Sequence, residues 1–253
     1  MTRINLVRQE VWTEESFGRS VKFFPAVGAI LGIFFWSAIS GIIFLTGGVV
    51  LENFTGAIFF VLNVFLTGGI HCDGLMDTAD GLFSGRDKEK ILAIMKDSRA
   101  GAFGVVSLVV VSSLQISTVA ELISLSIMQT LSAVYSAPII GRFLMVAAIK
   151  KFPYARPEGL GKAFAKFSSE KTLPFAFAET ILLLMPLSFF SKHFFLMAFS
   201  ALVLTSIFAM SFGNFAVKKI DGLTGDIYGA IEILSETLVL IIFLLLFFVP
   251  LLK

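Results

Sequence analysis

The sequence is poor in cysteine, histidine and charge, and each scarcity excludes a class of protein. It has one cysteine, Cys72, so no disulfide can form within the chain. Its two histidines, His71 and His193, are too far apart to indicate a pair, and no zinc-type Cys/His spacing is present. The nucleotide-binding motif G-x-x-x-x-G-K-[ST] and the hydrolase motif G-x-S-x-G are also absent. Charged residues make up 15% of the chain, and the net charge of +2 carries no information about nucleic acid; we expect no nucleic-acid partner.

Hydrophobic residues are abundant instead. They make up 57% of the chain and include 29 phenylalanines, whereas soluble domains are about 45–50% apolar. Several apolar runs reach the roughly 18–20 residues that cross a bilayer, and they are continuous rather than alternating, which argues against a β-barrel. The sequence therefore predicts an all-α polytopic integral membrane bundle, a single domain over residues 1–253, with about seven transmembrane helices (range roughly five to nine).

Helix-breaking residues and polar turns divide the apolar sequence. The predicted spans are 23–46, 54–70, 101–120, 122–149, 173–190, 194–217 and 231–252. The fourth span contains Pro138 and Arg142, where it could break, and a short turn near Glu121 precedes it. Residues 1–22 are polar, so we expect no cleavable signal peptide. The "GAILG" stretch at 28–32 has the spacing of close helix packing.

Lysine and arginine collect in alternate connections between the spans. The segments rich in Lys and Arg are 1–22, 71–100, 150–171 and 218–230. The turns at 47–53 and 120–121 carry neither residue, and 191–193 carries only Lys192. Loops rich in Lys and Arg stay on the cytoplasmic side. We therefore expect a multi-pass protein of a prokaryotic plasma (inner) membrane, with its amino terminus and its acidic and basic loops in the cytoplasm.

Three acids stand close together in "HCDGLMDTADG", residues 71–81, directly after an apolar run. On a helix, Asp73, Asp77 and Asp80 fall within about 60° of one another. Like charges at this spacing repel, and an ionised Asp within a membrane costs about 2.5–3.5 kcal/mol. A hard divalent cation such as Mg²⁺ would offset that cost. The alternative is a helix end whose acids are solvated; we favour a metal site.

A second group of acids lies in "DGLTGDIYGAIEILSE", residues 221–236. Asp226 either caps the following helix or joins the metal site. Glu232 and Glu236 are one turn apart at the start of the last apolar run, and Asp226 is rotated about 80–120° from them. Because Glu236 lies deeper in apolar sequence, it is also a metal-ligand candidate.

Two basic segments accompany the acids. "MKDSRAGAFG" (95–104) carries Lys96, Asp97, Ser98 and Arg99, and "YARPEGLGKAF" (154–164) carries Arg156 and Lys162. Such cations suit a phosphate-bearing substrate, although each segment alone is also typical of a loop that binds anionic lipid. Between Gly85 and Ser98, "RDKEKILAIMKD" looks amphipathic and is expected to lie along the membrane interface. His71 is open to three interpretations: a base, a ligand or a packed side chain.

Four blocks together resemble one enzyme family. "GGIHCDGLMDTADGLFSGRDKEKILAIMKDSRAGAFG" (68–104) closely resembles the signature of cobalamin synthase, the adenosylcobinamide-GDP ribazoletransferase family. "FFPAVGAILG" (23–32), "YARPEGLGKAF" (154–164) and "DGLTGDIYGAIEILSE" (221–236) are similar to its other blocks, in the same order. The sequence departs from the family at Cys72, where an aliphatic residue is expected, at Ala100, where a larger one is, and at Asp221, where Gly is. Asp221 adds a charge that could alter metal binding.

The resemblance implies a late step of cobalamin assembly. Adenosylcobinamide-GDP and α-ribazole, or its 5′-phosphate, would give adenosylcobalamin, or its phosphate, and GMP, with Mg²⁺ as cofactor. The metal ligands expected are Asp73, Asp77, Asp80, Asp226 and Glu236. The catalytic candidates are Asp80, the first choice of proton acceptor, then Asp97, with Lys96 and Arg99. The residues expected to contact substrate are Arg156, Lys162, Ser98, Thr224 and His71. Membrane lipid, a second copy of the chain and other cobalamin-assembly enzymes are possible partners.

Two other functions compete with this interpretation. A CDP-alcohol phosphotransferase also places acids along membrane helices, but its D-x-x-D-G-x-x-A-R pattern fails here, because Ser84-Gly85 stands where Ala-Arg should be. An ion-coupled transporter would carry acids near the middle of its spans and inverted repeats. In this sequence the acids gather at one membrane face and no repeat is evident.

Overall fold

The computed structural model describes residues 13–249. The helices are α1 (Glu14–Ser20), α2 (Phe24–Leu45), α3 (Glu52–Thr67), α4 (Ile70–Leu82), α5 (Lys88–Ile94), α6 (Ala102–Leu125), α7 (Ile127–Lys151), α8 (Leu160–Phe167), α9 (Thr172–Leu184), α10 (Leu187–Phe190), α11 (Lys192–Ile220) and α12 (Gly225–Leu246). Within the described residues the one extended pairing is an isolated parallel bridge between Tyr154 and Leu223. The predicted all-α class is confirmed. Arg3, Arg8 and the end of the predicted span 231–252 lie outside the described residues.

Six helical segments are long and apolar enough to cross a membrane. They are Glu14–Leu45, Ala102–Leu125, Ile127–Lys151, Thr172–Phe190, Lys192–Ile220 and Gly225–Leu246. A seventh crossing is possible if α3 and α4 act as one bent span. The expectation of a multi-pass helical membrane protein with about seven spans is therefore confirmed.

The bend between α3 and α4 corrects the predicted span 54–70. The two helices meet at 92°, so α3 ends at Thr67 and the acid-bearing helix runs in a new direction. Gly68 and Gly69 make this turn with φ values of 70° and 72°, in the left-handed region that only glycine enters without strain. The two glycines therefore separate the apolar helix from the acidic one.

The break between α6 and α7 falls later than predicted. α6 continues through Glu121 to Leu125, and Ser126 then turns the chain and caps α7 by accepting the Gln129 amide at 3.3 Å. Residue 121 is exposed, so its charge did not have to end the helix. Pro138 does not break α7 either, because it remains within one continuous helix. The last span also differs, since α12 begins at Gly225 rather than at residue 231 and so contains Asp226 as well as both glutamates.

The helix α7 lies at the centre of the bundle. Nearly all of it is buried, and α12, which packs beside it, is mostly buried as well. α2 also approaches α7 closely: a Cβ added to Gly28 would overlap the Pro138 carbonyl. The close-packing interpretation of "GAILG" is thus confirmed. The short helix α5 is amphipathic as expected, with Ile91 buried and Glu89 and Lys90 exposed.

Candidate functional site

Asp73, Asp77 and Asp80 lie on the single helix α4, at the spacing that the sequence indicated. Their surroundings nevertheless differ. Asp73 is exposed, whereas Asp77 and Asp80 are half-buried. Their partners, rather than their burial, divide them: Asp73 and Asp77 lie near Asp226, whereas Asp80 accepts the amides of Gly101 and Gly104.

The first group forms where α4 meets α12. Gly74 packs directly on the backbone of Asp226, and an added Cβ would lie 2.7 Å from the Asp226 carbonyl oxygen. Asp77 experiences the negative charges of Asp73 and Asp226 and the positive charge of Arg156. We name Asp73, Asp77 and Asp226 the acid cluster.

Asp226 does not cap α12, so that alternative was wrong. Thr224 is the N-cap: its Oγ1 accepts the Ile227 amide at 3.3 Å and donates its own hydrogen to Asp226 Oδ2 at 3.2 Å. The carboxylate of Asp226 is therefore free to face Arg156, whose Nη2 lies 3.0 Å from Oδ2. Thr224, predicted to contact substrate, orients this acid.

The segment that carries Arg156 is fixed by backbone hydrogen bonds. The Ala155 amide donates to the Leu223 carbonyl and the Leu223 amide donates to the Pro153 carbonyl, both at 2.8 Å. These bonds join the loop after α7 to the turn before α12. Lys162, further along, is exposed and donates to the Pro157 carbonyl. The structure thus brings Arg156, but not Lys162, into contact with the acid cluster.

Asp80 has a different environment from the other acids of α4. Its Oδ2 accepts the Gly101 amide at 2.7 Å and its Oδ1 accepts the Gly104 amide at 2.9 Å. The side chain therefore caps α6 from a neighbouring helix and holds the loop 95–101 beside α4. This loop presents Lys96, Ser98 and Arg99, all of them exposed.

Arg99 and Asp97 form an ion pair within that loop. Arg99 Nη2 donates to Asp97 Oδ2 at 2.6 Å and Nε donates to Oδ1 at 3.0 Å. These side-chain hydrogen bonds, with one from the Arg99 backbone, lower the pKa of Asp97 to about 2. Asp97 is consequently ionised at neutral pH.

The other predicted site residues lie in the interior, in a network that the sequence did not reveal. Arg142 Nη1 donates to Glu232 Oε1 at 2.6 Å and to Glu236 Oε1 at 3.0 Å. Asn63 Nδ2 donates to Glu236 Oε2 at 2.6 Å, and His71 Nδ1 lies 2.6 Å from Glu232 Oε2. We name these five residues the buried network. His71 is packed in this network. The sequence signal that could have revealed the network was Arg142, an arginine inside an apolar run.

One of the three departures from the family pattern, Asp221, has a structural role. Asp221 ends α11 with a φ of 59°, a left-handed conformation that explains why glycine is expected at this position. Its carboxylate lies 3.0 Å from Lys88 Nζ and is exposed. Cys72 is half-buried and Ala100 is exposed. The added charge of Asp221 is therefore paired with a lysine.

The acid cluster has the donor chemistry of a divalent-cation site. Within residues 13–249, no three His, Cys, Asp or Glu side chains are already close enough together to hold a metal ion. The cluster nonetheless sets three carboxylates against one paired cation, Arg156, and hard oxygen donors of this kind suit Mg²⁺. Asp80 and Glu236 fit less well, because their oxygens already accept hydrogen bonds.

Together the fold and the site define a polytopic helical membrane protein whose carboxylates and cations meet at the ends of its helices, an arrangement suited to phosphate chemistry. The family model for CobS, cobalamin-5-phosphate synthase, matches residues 1–244. The chain belongs to this family.

Curated relatives cover nearly the whole chain. A protein of Desulfitobacterium hafniense named adenosylcobinamide-GDP ribazoletransferase is 38% identical over 95% of this chain and 92% of its own length. Proteins with the same name from Desulforamulus reducens and Fusobacterium nucleatum are 38% and 35% identical, over 91% and 96% of this chain and 88% and 94% of their own. No solved structure matches the chain significantly.

Proposed function

We propose that the chain transfers the adenosylcobinamide phosphate group of adenosylcobinamide-GDP to α-ribazole or its 5′-phosphate. The products are adenosylcobalamin, or its 5′-phosphate, and GMP. Membership of the family and the names of its relatives support this assignment. The structural observation that carries it is the meeting of Asp73, Asp77 and Asp226 with Arg156 where α4 packs on α12.

The chemistry is a displacement at phosphorus. The 3′-hydroxyl of the ribazole ribose attacks the phosphorus nearer the corrinoid, a new P–O bond forms, and the P–O bond to GMP breaks. The leaving phosphate takes the bonding electrons, and the hydroxyl proton passes to a base. Reactions of this class depend mainly on positioning and on neutralising charge around the phosphorus.

Mg²⁺ is proposed as the cofactor. Asp73, Asp77 and Asp226 would hold it, and when bound it would neutralise the oxygens of the pyrophosphate. Arg156 lies beside the same carboxylates and would bind a phosphate oxygen there, as expected from its planar guanidinium. Its fixed loop keeps that group in place.

The loop 95–101 provides a second set of phosphate contacts. Lys96, Ser98 and Arg99 are exposed there, next to α4. Asp80 holds this loop through two amides, and it is also the proposed proton acceptor. Asp97 is a poorer proton acceptor, because a carboxylate whose pKa is about 2 is a weak base.

Orientation and partners follow from the same proposal. Lys and Arg collect on one side of the bundle, so we place this side, with the acid cluster and the amino terminus, in the cytoplasm of a prokaryotic cell. The proposed setting is the inner membrane. Self-association and contact with other cobalamin-assembly enzymes stay predictions.

Product analysis tests the function directly. The purified full chain, in detergent, is incubated with adenosylcobinamide-GDP, α-ribazole and Mg²⁺, and GMP is measured together with the corrinoid product. GMP that appears in equal amount with adenosylcobalamin is expected. A folded sample that releases no GMP would contradict the proposal. Release of CMP from a CDP-activated lipid would support the competing phosphotransferase.

A further inference from the structure

A cleft between α5 and α11 collects four cationic side chains outside the acid cluster. It has a volume of about 470 Å³ and is lined by Arg86, Lys88, Lys218 and Lys219, with Asp87, Ile91 and Phe215. Asp87 caps α5, accepting the Lys90 amide at 3.0 Å, and Asp221 pairs with Lys88. Four cations therefore face two carboxylates, and the cleft keeps an excess of positive charge.

Aromatic rings continue from this cleft along the membrane span α11. The Phe83 ring lies 6.3 Å from Phe215 and 6.4 Å from Phe103, and both Phe83 and Phe103 are 55% exposed. Phe215 contacts Phe212 at 6.4 Å, and Phe212 stacks on Phe208 at 5.9 Å. The rings thus form a continuous surface from the cationic end of α11 toward the membrane interior.

The two parts of this surface match the two parts of one molecule. Cations at the end of a membrane helix attract phosphate, while rings deeper along the same helix attract hydrocarbon. A soluble phosphate compound would use the cations alone. We propose that the cleft binds the headgroup of an anionic phospholipid, with an acyl chain lying along Phe215 and Phe212.

Such a lipid would join two elements that flank the site. α5 is anchored on one face by Ile91 and Met95, and Met95 packs against Gly81 of α4. A headgroup held by Arg86 and Lys88 on one side and by Lys218 and Lys219 on the other would fix α5 against α11. The inference is independent of the proposed reaction, because none of the four cations belongs to the acid cluster or to the loop 95–101.

Lipid binding to the purified full chain tests this inference. Native mass spectrometry in detergent measures the affinity for phosphatidylglycerol and, separately, for phosphatidylcholine. The double variant Lys218→Gln/Lys219→Gln should bind phosphatidylglycerol about 30-fold more weakly, since each lysine near a headgroup contributes about 1 kcal/mol and 1.4 kcal/mol is tenfold. Thermal unfolding confirms that the variant is folded.

The matched control is Lys166→Gln/Lys171→Gln. It removes the same charge from exposed lysines on the same side of the bundle, and Lys166 also lies over a phenylalanine ring. Affinity within about twofold of the native chain is expected for this control. Equal losses in both variants, or equal binding of phosphatidylcholine, would overturn the proposal. So would displacement of the lipid by glycerol phosphate or by GDP, which would assign the cleft to a soluble phosphate or to the nucleotide.

Discussion

Arg142 on α7 and Glu232 on α12 form an ion pair of 2.6 Å at the centre of the bundle, and both side chains are fully buried. Glu236 also pairs with Arg142, the His71 ring lies against Glu232, and Asn63 connects the network to α3. Four helices therefore meet at one polar network beneath the acid cluster. Because His71 precedes Asp73 by only two residues, the network also fixes the start of the acid-bearing helix.

The first prediction concerns stability. Arg142→Met should destabilise the protein by about 3–5 kcal/mol, because it leaves two buried glutamates without their cation. The measurement is thermal unfolding of the purified chain in detergent. Arg19→Met is the control, since Arg19 pairs with Glu15 at the same 2.6 Å but on the exposed surface. An equally small change in both variants would show that the buried pair does not hold the helices together.

The second prediction concerns the acid cluster. Asp77→Asn should lower kcat/KM by at least about 100-fold and weaken Mg²⁺ binding, since it removes one carboxylate from the proposed ligands. GMP release and isothermal titration with Mg²⁺ are measured on the same preparation. The control is Glu89→Gln, which removes an exposed acid from α5. Native-like turnover together with unchanged Mg²⁺ affinity in Asp77→Asn would contradict the metal role.

The sequence predicted the fold class and the acidic helix because both depend on local patterns. Continuous apolar runs indicated the spans, and Asp73 and Asp77 lie on one helix as their spacing required. The 92° turn at Gly68 and Gly69 was missed, because the apolar run continues through both glycines and hydropathy carries no direction. The predicted span therefore joined residues that belong to two helices.

Long-range pairing explains the other errors. Arg142 was read as a break in its span, whereas it is the partner of two glutamates about 90 residues later in the chain. Asp80 resembles Asp77 in sequence, yet its partners are the amides of Gly101 and Gly104. Such partners depend on how helices pack, which no local spacing encodes.

The third prediction concerns pH. Asp97 should remain ionised down to about pH 2, because hydrogen bonds from Arg99 lower its pKa from 3.8. The stabilisation from this pair is thus present above about pH 4 and is lost as pH falls through about 2. The carboxyl ¹³C shift of labelled aspartate reports the titration. Arg99→Gln should return the pKa toward 3.8, whereas the control Arg86→Gln should leave it low; a titration near 4 in the native chain would contradict the pairing.

The fourth prediction concerns the contact between α4 and α12. Gly74→Ala should lower kcat/KM by about 10-fold or more, because the new Cβ would lie 2.7 Å from the Asp226 carbonyl and must push the two acid-bearing helices apart. Gly41→Ala is the control: it also lies within a helix, but a Cβ there meets nothing within 4 Å. That substitution should stabilise its helix by about 0.5–1 kcal/mol and leave turnover unchanged. Both variants add one methyl group to a helix. A loss of GMP release confined to Gly74→Ala would therefore show that the reaction depends on the spacing of the acid cluster. Equal turnover in the two variants would mean that this spacing does not govern the reaction.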